Sequence, residues 1–498
     1  MCLSTFCSHL LRTSLLVLIC GVSTGTASEL LIGTSTADIT PTLPVALMGQ
    51  FNLRIAQEVE TPITANVVAL ESREGARSLE TAIFVSCDLV YISASIRTMV
   101  REEVRKLLPG FDVSKIILNA THTHTAPVLE DEEGESSFLY PIPKEGVTQV
   151  EAYKVFFARQ VSSAIVKAWK GRKPGSVTWG LHRAAVGYNR RAVYQDSTAI
   201  MYGKTNLPAF RNLEGYEDHD INTLFFWNNS GKLIAMNVEV ACPAQEVEHR
   251  SAINADYWHP VRNALRGKFG KDLTVLGWIG AAGDQSPHIM YRKAADERMQ
   301  KLRNITRMED IAHRIVDAVE ETYKAVKDDR HPEVQFIHKT EQLALPMRVI
   351  TEEEYQEAKT LHDAASEEIA KDPKAADRFF LKKTWHGDVM ARYEKQKTDP
   401  LATYETEIHV LRLGDIAICT NQFELFTDYG IRIQAQSKAL QTFVVQLAGP
   451  GTYLPTAKAV RGGGYSAVCQ SNIVGPEGGQ LLVDRTLALI EDLWSGDR

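Results

Sequence analysis

Thr81-Ala-Ile-Phe-Val-Ser-Cys-Asp-Leu-Val-Tyr-Ile92, an amphipathic stretch from Ser95 to Leu108, and Ser114-Lys-Ile-Ile-Leu-Asn-Ala-Thr-His-Thr-His124 form the segment whose reading decides the fold. Short runs dense in β-branched and apolar residues read as strands, and the apolar stripe between them reads as a helix. The order is strand, helix, strand. The same alternation returns in LIAMNVEVAC (233–242), WHPVRNALRGKFG (258–270) and LTVLGWIGAAGDQSP (273–287). The expectation is an α/β fold of mixed sheets with flanking helices and functional loops gathered at strand ends.

Further along, TEIHVLRLGDIAICTNQ (406–422) reads as two strands about a Leu413-Gly414-Asp415 turn. A helix from about Phe423 to Ala439 and a strand TFVVQLAG (442–449) follow. Between residues 351 and 397 the composition turns to Glu, Lys and Ala at helical spacing, which predicts an exposed helical hairpin inserted in one catalytic-type domain spanning 28–498. That insertion reads as structural.

The chain has 498 residues, 55 Lys and Arg against 62 Asp and Glu, and a formal charge of -7. Such a balance offers no phosphate-backbone footprint, so nucleic acid is excluded as the expected partner. Arg12 precedes an apolar run from Leu15 to Val22 and a small polar stretch from Ser23 to Ser28. This is the pattern of a signal peptide cleaved near Ala27, and it predicts an exported product, secreted or periplasmic. Bulky Ile19 before Cys20 weighs against lipoprotein processing. Loss of residues 1–27, which hold one Arg and no acid, takes the charge to -8. Cys87, Cys242, Cys419 and Cys469 then remain, too widely spaced for a disulfide scaffold.

Asn119-Ala-Thr-His-Thr-His-Thr-Ala-Pro127 carries the strongest chemical signal. In a regular strand residues i and i+2 face the same way, so His122 and His124 could serve one site, and imidazole is the commonest transition-metal ligand. Histidines satisfied by loop hydrogen bonds are the competing reading of so short a motif. Ser286, in Gly283-Asp-Gln-Ser-Pro287, could be a nucleophile. It lacks a G-x-S-x-G elbow, however, and serine before proline is equally a turn former.

Taken together, ADIT (37–40), NATHTHTAP (119–127), GYNRR (187–191), INADYWHP (253–260), GDQSP (283–287), FELFTDYG (423–430) and GTYLPT (451–456) resemble the neutral, non-lysosomal ceramidase family over most of residues 30–475. That resemblance implies a zinc-dependent amidase cleaving the N-acyl bond of ceramide, acting on a lipid or small-molecule substrate with transient membrane-surface contact. It implies His122, Glu424 and Tyr453 as zinc ligands and His124 as the proton-transfer group. Arg190 and Tyr465 would orient the substrate and stabilise charge on its amide oxygen, and Ser286 matches a serine once taken for the nucleophile. Each has a plainer reading: Glu424 as a helix N-terminal charge, Tyr453 as a turn aromatic, Arg190 in a surface ion pair, Tyr465 as the anchor of a loop behind Gly462, Gly463 and Gly464.

Three departures stand out. Where the family has a second histidine ligand this chain reads Val240-Ala-Cys242-Pro-Ala-Gln245. A thiolate binds zinc well, so a His122, Cys242, Glu424 and Tyr453 set is chemically sensible; with Cys242 merely buried, His249 or His259 would supply the fourth ligand. The family's glycine-rich continuation is replaced by Thr125-Ala-Pro-Val, and the immunoglobulin-like C-terminal domain is not seen after the catalytic-like region. A zinc hydrolase of another amide or ester, and a non-catalytic exported binding protein, are the competing functions. A serine hydrolase centred on Ser286 stands behind both.

Overall fold

The computed structural model describes residues 28–130 and 139–496, so the signal-peptide expectation for residues 1–27 lies outside the described residues. Eight strands form the main sheet: β1 (Glu29–Asp38), β2 (Thr64–Glu74), β3 (Arg77–Cys87), β4 (Ile116–Ala120), β5 (Lys173–Arg183), β6 (Asp220–Asn228), β7 (Leu233–Val240) and β8 (Thr274–Ile279). Their spatial order is β8-β7-β6-β5-β1-β2-β3-β4. The interior pairs are antiparallel, while β4 runs parallel to β3 and β8 parallel to β7. The mixed α/β architecture is as the sequence predicted.

Parallel pairing needs a crossover, and helix α1 (Ala94–Leu107) supplies it between β3 and β4. Ser93 caps it, its hydroxyl accepting from the Ile96 amide at 3.2 Å, and Ile96, Val100 and Val104 repeat every fourth residue on the buried stripe. Helix α2 (Val150–Lys170) shares that layer, and α3 (Trp258–Phe269) with α4 (Arg307–Val326) covers the β6 to β8 half. Against the other face lies a second sheet of β9 (Phe336–Pro346), β10 (Thr403–Leu413), β11 (Ile416–Thr420) and β12 (Gln441–Val445). Phe84, Ile117, Leu224 and Trp278 meet Leu411, Ile418 and Phe443 between the two sheets. Helices α5 (Glu352–Lys371) and α6 (Ala376–Thr398) form the hairpin, while α7 (Thr427–Gln436) and α8 (Pro476–Leu493) close the outer side of the second sheet.

The edge strands β4 and β8 are the farthest apart in sheet order, yet the sheet curls until they touch. Ser86 Oγ and Asn119 Nδ2 both donate to the carbonyl of Gly277 in β8, at 2.7 and 3.2 Å. The end of β12 seals the gap: Gln446 N donates to Ile279 O at 3.0 Å and Ala120 N to Leu447 O at 3.2 Å. The loops after β4, β8 and β11 are thereby brought to one end of the molecule.

A candidate metal centre in an aromatic cavity

Regular strand alternation is not what brings the two histidines together. β4 ends at Ala120, and His122 sits in the left-handed region at φ 63°, a strained position for a residue with a side chain. The intervening threonines do the aiming. Thr121 Oγ1 donates to Asp88 at 3.2 Å, and Thr123 and Thr125 both donate to the carbonyl of Asn254, at 2.8 and 2.6 Å. With three threonines pinned to the protein body, both imidazoles turn to the opposite side, their centroids 4.8 Å apart.

That side is a cavity of about 200 Å³ whose lining includes His122, His124, Glu424, Tyr453, Tyr465 and Trp385. Glu424 and Tyr453 arrive together because the two-residue strands Glu424–Leu425 and Tyr453–Leu454 pair in parallel with these residues opposite one another. Gly283 of the GDQSP loop packs beneath them; a Cβ there would sit 2.3 Å from the Glu424 carbonyl oxygen.

Nδ1 of His122 lies 2.6 Å from the Val90 carbonyl oxygen, which can only accept, so Nδ1 carries a proton and Nε2 is the nitrogen turned to the cavity. This backbone anchor is the usual orienting bond of a metal-ligating imidazole. Nε2 lies 3.3 Å from Oε2 of Glu424. Ligand distances of about 2.0–2.1 Å in a tetrahedral site give a ligand–ligand edge of about 3.3 Å. Burial by itself would raise the Glu424 carboxyl, but His122, Arg190 and the Tyr453 hydroxyl outweigh it and hold the group below its ordinary value. Tyr453 is hydrogen-bonded to Glu424 and receives Arg190 Nη2 at 3.1 Å. Among the described residues, no group of three or more His, Cys, Asp and Glu side chains is disposed to hold a metal. His122, Glu424 and the Tyr453 phenol are the groups at this end of the cavity that could hold a metal.

Cys242 is not brought to this cavity. It is fully buried in the apolar cluster with Val240, Tyr257 and Trp258, its Sγ directed at the Pro243 carbonyl at 3.5 Å. Burial, reinforced by Asp256 and Glu246, pushes the thiol well above its ordinary value, so it is a neutral core thiol and not a ligand. The fallback ligands fail as well. His249 is exposed, and His259 accepts from Asn263 on the surface of α3 at 2.9 Å. Ser286 is also fully buried behind the cavity, where its Oγ receives the Tyr202 hydroxyl and the His288 amide, both at 3.0 Å. Among the described residues no imidazole nitrogen is bonded to it.

Arg190 is buried and does not line the cavity. Its guanidinium donates to Gly283 O, Gln245 Oε1, Tyr202 OH and Tyr453 OH, at 2.9, 3.2, 3.4 and 3.1 Å. Its contact with the cavity lining runs through Tyr453. The neighbouring Arg191 explains Tyr465: paired with Glu214 at 2.7 Å, it donates to the carbonyls of Tyr465, Ala459 and Gly463. The loop is thus tied down. Burial pushes the Tyr465 phenol far above its ordinary value, so it keeps its proton beside Tyr453, ring centroids 5.5 Å apart.

Four contributors escaped the sequence reading. Gln245 Nε2 donates to Nε2 of His124 at 2.8 Å, and Glu248 Oε2 lies 3.1 Å from His124 Nδ1. Gly49, at φ 102°, packs on the His124 ring. Trp385 of α6 faces Phe51 and Tyr465 at 5.4 and 5.9 Å, so the hairpin read as purely structural builds the cavity wall. It docks through Leu381 among Met48, Val90 and Tyr140. None of these belongs to a local motif; the amphipathic stripe that marked the hairpin says nothing about what the helix covers.

Neutral ceramidase from Pseudomonas aeruginosa superposes with a TM-score of 0.64 at 16% identity, over 93% of this chain and 75% of that one. A ceramidase complexed with C2 gives the same TM-score at 14% identity, over 93% and 76%. No family model and no curated protein sequence matches this chain. The chain has the neutral ceramidase fold.

Proposed function

We propose that this protein is an exported zinc-dependent amidohydrolase that cleaves the N-acyl bond of ceramide or of a related acylated amine. The observation that carries the reading is the approach of His122 Nε2 and Glu424 Oε2 at 3.3 Å, with Tyr453 bonded to the carboxylate and the whole opening on an aromatic cavity. His122, Glu424 and Tyr453 would hold the ion, and zinc in such a site supplies Lewis-acid chemistry that polarises a carbonyl and acidifies water.

The chain's own residues account for the remaining steps. Burial pushes His124 below its ordinary value, so at neutral pH the ring is uncharged and has one nitrogen free of a proton. It takes a proton from the attacking water and returns it to the departing nitrogen, yielding a carboxylic acid and an amine. Tyr465 donates its O–H to the developing oxyanion. Burial and the Glu424 charge push the Tyr453 phenol well above its ordinary value, and Arg190, fixed on its oxygen, opposes them. Trp385 and Tyr465, with Phe51 packed against both, offer an aromatic wall that suits an acyl chain.

The test combines metal analysis of purified protein with hydrolysis of ceramide and a panel of other acylated amines and esters. Near-stoichiometric zinc, activity lost on chelation and restored by zinc, and ceramide turnover are expected. Brisk turnover of another acyl compound in place of ceramide would move the substrate, whereas absent metal and absent turnover throughout would overturn the hydrolase reading.

A further inference from the structure

The cavity holds charge and aromatic surface beyond what the candidate metal centre uses. Apart from His122, His124 and Glu424, the charged side chains that line it are Glu130 and Asp388, and among the described residues no lysine or arginine lines it. Trp385, Tyr404, Tyr453 and Tyr465 supply aromatic rings to the same lining. We infer that the cavity recognises a positively charged nitrogen, held by Asp388 among these rings, and that the acyl compound it takes carries this cation on its amine half. Use of the preference in turnover rests on the hydrolase reading above; the binding preference itself does not.

Helix α6 brings the carboxylate to the cavity. Leu381, Trp385, Asp388 and Arg392 follow one another at helical spacings of three and four, so they form one stripe. Leu381 docks among Met48, Val90 and Tyr140, which carries Trp385 and Asp388 into the lining. One turn further, Arg392 Nε donates to Oδ2 of Asp388 at 2.6 Å, while Nη2 and Nη1 donate to the carbonyls of Cys469 and Asn472 at 2.8 and 3.4 Å. Arg392 is buried and is not part of the lining. It therefore fixes the carboxylate and leaves Oδ1 to a ligand. One guanidinium beside two carboxylates also leaves this end of the cavity net negative. The Tyr404 hydroxyl is bonded to the Pro450 carbonyl and the Tyr453 hydroxyl to Glu424, so these two residues offer a ligand their rings. A cation is attracted both by aromatic faces and by a carboxylate; a neutral group of the same shape gains neither, and an anion is repelled. An acyl chain contains no nitrogen, so the charge belongs to the amine that departs.

The first readout is binding, by isothermal titration of the purified full chain with choline and with its neutral isostere, in which carbon replaces the charged nitrogen. Both probes carry the same hydroxyl, so any contact of that group with a metal cancels in the comparison. Choline should bind about 10-fold more tightly. Asp388→Asn keeps the shape and removes the charge, and should bring the ratio down towards one; should the variant fail to fold, the wild-type ratio alone decides. The second readout is kcat/KM on two octanoyl amides, one with a trimethylammonium group on its amine half and the other with a tert-butyl group in its place. The cationic amide should be favoured about 10-fold, and Asp388→Asn should erase the difference. Equal binding of choline and its isostere by the wild type, or a ratio that persists in folded Asp388→Asn, overturns the inference. Preferential binding of choline by a protein that hydrolyses no acyl compound upholds it and overturns the hydrolase reading instead.

Discussion

Gly49→Ala tests whether the position of His124 controls turnover. A Cβ at residue 49 would stand 2.4 Å from Cγ of His124, 2.7 Å from its Cβ and 2.8 Å from Nδ1. Carbon atoms in ordinary contact are about 3.5 Å apart, so the imidazole must retreat by about 1 Å. A misplacement of that size at a reacting centre costs about 10²-fold in rate. The backbone adds its own penalty, because φ at Gly49 is 102°, and a side chain held there loses about 1–3 kcal/mol of stability. The two effects separate with a control. Gly110 also lies at positive φ, 88°, but nothing stands within 4 Å of a Cβ built on it. Gly110→Ala should share the loss of melting temperature and keep wild-type kcat, while Gly49→Ala should show the same loss with kcat down about 10²-fold. The assay is kcat on the best acyl substrate beside a thermal melt of each variant. Equal kcat in Gly49→Ala and the wild type would refute the claim that His124 must sit where it does.

Cys242→Ala should retain the wild-type zinc content, since the thiol is neutral and faces its own core; parallel loss of metal and activity would restore the cysteine as a ligand. Trp385→Ala should leave zinc in place and shift the preferred acyl length upward, read as kcat/KM across a chain-length series, and an unchanged profile would remove the hairpin from the substrate site. Burial pushes Glu246 up to about 8 despite the nearby Arg307. Because the folded state then keeps a proton that the unfolded chain releases near its ordinary value of 4.5, this residue's contribution to stability declines as pH rises from about 4.5 to about 8. Glu246→Gln should therefore flatten the melting temperature between pH 5 and 8, and curves that stay parallel to the wild type would discount the effect.

The residue pattern by itself carried the layered mixed α/β class, because strand and helix periods are local and the edge strands announce themselves as apolar runs ending in glycine, histidine or proline. It also singled out His122, Glu424 and Tyr453 as candidates, which sit in short motifs at strand ends. Their convergence was not legible. It needs a sheet curled until β4 and β8 touch, a two-residue parallel pairing that sets Glu424 opposite Tyr453, and three threonines whose hydroxyls turn His122 outward from a left-handed backbone. Strand alternation would have aimed the same two histidines for the wrong reason.

Tertiary structure alone decided the rest. Cys242 and Gln245 lie three residues apart, yet one faces a core of tyrosine and tryptophan and the other reaches His124; nothing in their chemistry says which. The roles of Arg190, Gly49 and Trp385 likewise depend on partners far away in sequence, at Tyr453, His124 and Tyr465. A sequence fixes which groups a chain possesses and how its local periods run, whereas burial and hydrogen-bond direction, which set whether a thiol ionises or which imidazole nitrogen is bare, exist only once distant segments have packed.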